Sequence, residues 1–101
     1  MKDNKQQSTR IRQMEQRFVH VSAAVKRLSA ALDRYESVQE PIADLKAYFS
    51  SDVWRQDYAD DEAGLLPEGL KRGVLSEDGI WNLLSDVDDL NQRLQKLAAK
   101  T

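Results

Sequence analysis

The sequence predicts an all-α fold, in which a long kinked N-terminal helix and a shorter C-terminal helix pack antiparallel as a helical hairpin around a compact helix-loop head. Two observations carry this prediction. Apolar residues recur alternately three and four positions apart over two long stretches, Ile11 to Tyr35 and Ile80 to Leu97, which is the spacing of a single helix face. Between them lies Trp54 to Asp78, a segment with aromatics, carboxylates, a basic pair, glycines and a proline, longer and more apolar than a solvated loop needs to be. A connector of that kind must pack as a structured head.

The elements follow in order. Residues 1–8 are polar and carry no period, so they are expected as a disordered tail, with one helical domain over 9–101 and its head at 51–75. Ile11, Met14, Phe18, Val21, Val25, Leu28, Leu32 and Tyr35 then form a sustained heptad. Ala24, Ala31 and Val38 widen that face to three positions, which calls for two neighbours rather than one. The stripe changes phase after Val38, continuing at Ile42, Leu45 and Phe49. Pro41 deprives the Ser37 carbonyl of its helical donor, so either a kink or a new helix is expected there.

Ser50, Ser51 and Asp52 supply N-cap chemistry for a helix over about 52–62, with Trp54 and Tyr58 one turn apart. Gly64 is its expected C′ residue, and Pro67 blocks continuation. The anchors of the head are expected to be Trp54, Tyr58, Leu65, Leu66, Leu70, Val74 and Leu75, with the two aromatics also meeting Trp81. Ser76, Glu77 and Asp78 open the last helix with a capping hydroxyl and two carboxylates at the positive end of its dipole. Ile80, Leu83, Val87, Leu90, Leu94 and Leu97 continue it, and Leu84 and Ala98 widen the face. The first pattern covers about 40 residues, roughly 60 Å, and the last about 25, roughly 37 Å. A hairpin of such unequal arms leaves Ile11 to Val25 uncovered unless a second copy completes a four-helix bundle or a partner protein docks there.

Composition narrows the function. A chain of 101 residues has room for one modest core and hardly for a deep enzyme cleft. With 41% hydrophobic and 32% charged residues and a net charge of -2, no strong overall field is implied, and neither nucleic acid nor an anionic membrane is expected as a partner. The lack of cysteine removes disulfides, thiolate chemistry and cysteine metal sites, and fits a reducing compartment. Met1 to Gln7 does not read as a signal peptide, and no window approaches the roughly 18 apolar residues of a membrane span. The expected location is the cytoplasm.

No constellation points to catalysis, a cofactor or a metal. His20 falls at heptad position c, away from the seam, with no nucleophile or orienting carboxylate to work with. Ser76 is explained by capping. Asp57, Asp60, Asp61 and Glu62 offer hard oxygen ligands, but their spacing matches no calcium loop; ionic contact with Lys71 and Arg72 is the more economical use. Gly64, Gly69 and Gly73 beside that basic pair form neither a P-loop nor a dinucleotide fingerprint. Trp54 and Trp81 suit either an interface or the core. The candidate partner-binding surface therefore comprises Trp54, Asp57, Tyr58, Asp60, Asp61, Glu62, Lys71 and Arg72.

Trp54, Asp57-Tyr58, Asp61-Glu62-Ala63-Gly64, Leu66-Pro67, Leu70-Lys71-Arg72-Gly73 and Val74-Leu75-Ser76-Glu77-Asp78 together resemble the hallmark segment of a family of small bacterial proteins known only as a domain of unknown function. The resemblance covers nearly the whole chain and implies an intracellular, mostly helical protein. It brings no activity, cofactor or site with it. Gly79 departs from the pattern, a helix former such as alanine being expected there. The function expected is non-enzymatic protein binding, in one form an immunity or antitoxin-type protein whose acidic, aromatic-bearing surface covers a basic toxin site. The competing readings are a structural homodimeric adaptor and a small enzyme or ligand sensor built on the head carboxylates.

Overall fold

The computed structural model describes residues 4–101. Among them it contains four α-helices, α1 (Lys5–Ser37), α2 (Gln39–Phe49), α3 (Asp52–Glu62) and α4 (Glu77–Lys100), a single 3-10 turn at Gly73–Leu75, and no strand. The chain is all-α, as the two periodic stretches require. Its backbone contacts divide it into two compact units, Met1–Gln39 and Glu40–Thr101.

The first unit is α1. Its start is fixed by Asn4, whose Oδ1 accepts a hydrogen bond from the Gln7 backbone N–H at 3.0 Å. The helix thus begins inside the stretch expected as a tail, with Lys5 to Ser8 helical; residues 1–3 of that stretch lie outside the described residues. No residue of α1 is buried. At its other end Val38 leaves helical geometry, with φ -105° and ψ 9°. The last carbonyls are capped locally: the Ser37 hydroxyl donates to the Arg34 carbonyl at 2.6 Å, and the Gln39 side-chain amide donates to the Tyr35 carbonyl at 2.9 Å. The choice left open at Pro41 resolves as a new helix. α2 starts at Gln39, which puts Pro41 in its first turn, where a missing N–H leaves no helical bond unmade.

The second unit holds the core. Trp54, Leu75 and Ile80 are buried together, and Leu45, Tyr48, Phe49, Tyr58, Leu66 and Leu84 pack half-buried around them; Val87 is buried further along α4. Local chemistry positions these side chains. The Ser51 hydroxyl accepts from the Trp54 N–H at 3.3 Å and donates to the Tyr48 carbonyl at 2.6 Å, which ties the end of α2 to the start of α3. Past the end of α3 the chain turns at Gly64, with φ 72°. There the Gly64 N–H reaches the Asp61 carbonyl at 3.0 Å and the Leu65 N–H reaches the Asp60 carbonyl at 2.9 Å, the paired bonds of a Schellman motif.

Ser76 caps α4, its hydroxyl accepting from the Gly79 N–H at 3.1 Å. Gly79 has a reason here: a Cβ at this position would stand 3.1 Å from the Ser76 Oγ and 3.2 Å from its Cβ, so the bare backbone lets the cap close tightly.

Three expected anchors, and the expected contact Trp81, are placed differently. Leu65 is 71% exposed, because the chain turns away from the core immediately after Gly64. Leu70 and Val74 are also exposed; Val74 meets Trp54 through its carbonyl rather than its side chain. Trp81 is 59% exposed, since one residue beyond the buried Ile80 is a rotation of about 100° around the helix.

Candidate interaction surfaces

The eight head residues singled out by sequence are mostly engaged within the head. Trp54 is 6% exposed, with its ring stacked on Tyr58 at 5.2 Å and set edge-on to Phe49 at 4.9 Å. Its indole N–H donates to the Val74 carbonyl at 3.0 Å. It belongs to the core and is not an exposed contact. Asp57 accepts the Tyr48 hydroxyl at 2.5 Å. That bond, with burial and the negative charge adding to it, holds the Tyr48 proton and raises its pKa to about 12.

Asp61 pairs with Arg72 at 2.7 Å, joining the end of α3 to the segment before the 3-10 turn, and Asp60 accepts from the Gln56 amide at 2.9 Å. The expected ionic closure of the head is therefore made by Arg72 with Asp61. Glu62 and Lys71 are exposed. Sequence reasoning passed over Tyr48; its position three residues after Leu45 and one before Phe49, on the inner side of α2, was the available signal.

Two further features present themselves to solvent. On α1, Ile11, Met14, Phe18, Val21 and Val25 are all exposed, Phe18 at 69%, and they form one helical stripe. Arg10 stands four residues before Met14 and Arg17 four before Val21, so both flank the stripe. On the second unit, Leu45, Gly73, Val74, Gly79, Ile80 and Leu83 line an open, apolar recess. Leu83 and Leu90 continue as an exposed stripe along α4, with Asp86 between them and Asp89 beside it.

The division into units also uncovers a charge asymmetry that the total conceals. Eight basic and four acidic residues lie up to Gln39, and seven basic and thirteen acidic follow from Glu40, giving +4 and -6. Among the described residues no group of three or more histidines or carboxylates is placed to hold a metal ion, and no helix is long and apolar enough to cross a membrane.

Comparison with known proteins finds a family match for the sequence. The model of a family described as a domain of unknown function (DUF4298) matches residues 11–97. No curated protein and no solved structure matches the chain.

Proposed function

The chain belongs to the DUF4298 family, and from its geometry we propose that it is a cytoplasmic, non-enzymatic protein-interaction module whose binding element is the apolar face of α1. The observation that supports this most is the exposed stripe from Ile11 to Val25 on a helix with no buried residue. Five large apolar side chains kept in water on one face have no folding role in the unit that carries them, and such a face is stabilised by being covered. The head contributes as a structural knot, because Trp54, Asp57 and Asp61 spend their bonding capacity inside it. The antiparallel bundle read from the sequence belongs to this proposal as the assembled state in which the stripe is covered. An immunity or antitoxin-type role is one form such a module takes; a homodimeric adaptor is another.

Capture from native lysate tests the reading. The full chain is expected to retain a specific protein, its own untagged copies included, and the Phe18→Asp, Val21→Asp double variant is expected to lose it while keeping the circular dichroism of a helical protein. Equal retention by a folded variant would remove α1 from the interface.

A further inference from the structure

We propose that the chain associates with a second copy of itself by seating α1 of one copy on the acidic unit of the other, with Phe18 entering the apolar recess and Arg10 and Arg17 facing Asp86 and Asp89. The proposal rests on α1 being the binding element and names what it binds. Charge selects the occupant. The α1 unit carries +4 and the second unit -6, so pairing unlike units across two copies joins opposite fields, whereas pairing α1 with α1 gathers arginines of like sign.

An anionic membrane would attract α1 but repel the second unit of the same chain. The apolar parts match as well, since Ile11, Phe18 and Val25 repeat every seven residues, as do Leu83, Leu90 and Leu97. Each copy offers one stripe and one recess, so a reciprocal exchange between two copies makes two equivalent contacts and covers each face once.

Sedimentation equilibrium of the full chain at micromolar concentration tests this. A dimer is expected near 0.1 M sodium chloride, weakening at least about tenfold near 1 M as the screening length falls from about 10 to about 3 Å. Arg10→Glu with Arg17→Glu, and separately Asp86→Lys with Asp89→Lys, should each give monomers, and an equimolar mixture of the two should dimerise again because every interface is then complementary. A Cβ at Gly73 would meet no atom within 4 Å, so Gly73→Leu places a side chain at the recess and should abolish the dimer while helicity is kept.

A monomeric wild-type chain, a dimer indifferent to both charge reversals, or a folded mixture that stays monomeric would each overturn the proposal. If the wild type is monomeric but the Phe18→Asp, Val21→Asp variant still loses capture of another protein, α1 remains the binding element and only the second copy is excluded. If that variant changes neither measurement, the α1 reading itself fails.

Discussion

Trp54 shows how much one side chain can determine in a core this small. It is in contact with Phe49 at the end of α2, Tyr58 within α3 and the Val74 carbonyl in the 3-10 turn, so three elements take their places from one indole. Replacing it with alanine is expected to cost about 3–5 kcal/mol, as large aromatic deletions do, which is much of the roughly 5–15 kcal/mol that a domain has. Urea titration of the variant measures this; a midpoint unchanged from wild type would show that the ring is dispensable. Tyr48 and Asp57 make a second, pH-dependent prediction. With a folded-state pKa raised from 10.0 to about 12, the folded chain holds this proton more tightly than the unfolded one. The stabilisation is therefore complete below about pH 10 and is lost as the pH rises through 12. Tyrosinate absorbance should show Tyr48 titrating late, and Asp57→Asn should bring its titration to lower pH. The pair was hidden in the sequence because a tyrosine and an aspartate nine residues apart meet only when two helices turn on Ser51.

The helices themselves were largely legible, because their boundaries are written in local chemistry. Ser51, Gly64 and Ser76 act where their types predict, and α3 spans the residues its cap and stop imply. What the sequence could not give was which apolar residues face inward in a segment without period. Leu65, Leu70 and Val74 look like anchors by type, yet their orientation follows from the turns after Gly64 and Pro67. For Trp81 the helix angle decides, since one residue past the buried Ile80 turns the side chain out to solvent. Gly79 supplies the test at this scale. Alanine there would gain about 1 kcal/mol of helix propensity, but its methyl would press on the Ser76 cap, itself worth about 1 kcal/mol. The two effects are expected to cancel, so Gly79→Ala should melt close to wild type; a full propensity gain would show that the close approach at Ser76 is easily relieved.

At the scale of the whole molecule, stability is distributed unevenly between the units. α1 has 33 residues but no buried one, so its persistence depends on propensity, caps and whatever covers its stripe. The second unit has the buried cluster. Hydrogen exchange should accordingly find α1 amides less protected than those around Trp54, Leu75 and Ile80 in dilute solution, with protection of α1 rising with concentration if copies cover one another. Uniform protection along the chain at all concentrations would contradict that distribution. The positions of the two tryptophans make the difference visible by a simpler means. Both lie in the second unit, one buried and hydrogen-bonded and the other 59% exposed, and α1 has none. Tryptophan fluorescence is thus without a reporter in α1, whereas far-ultraviolet dichroism records both units. Acrylamide should quench the red-edge emission of Trp81 first and leave a blue-shifted Trp54 component, so loss of dichroism before any change in tryptophan emission would mark unwinding of α1 alone.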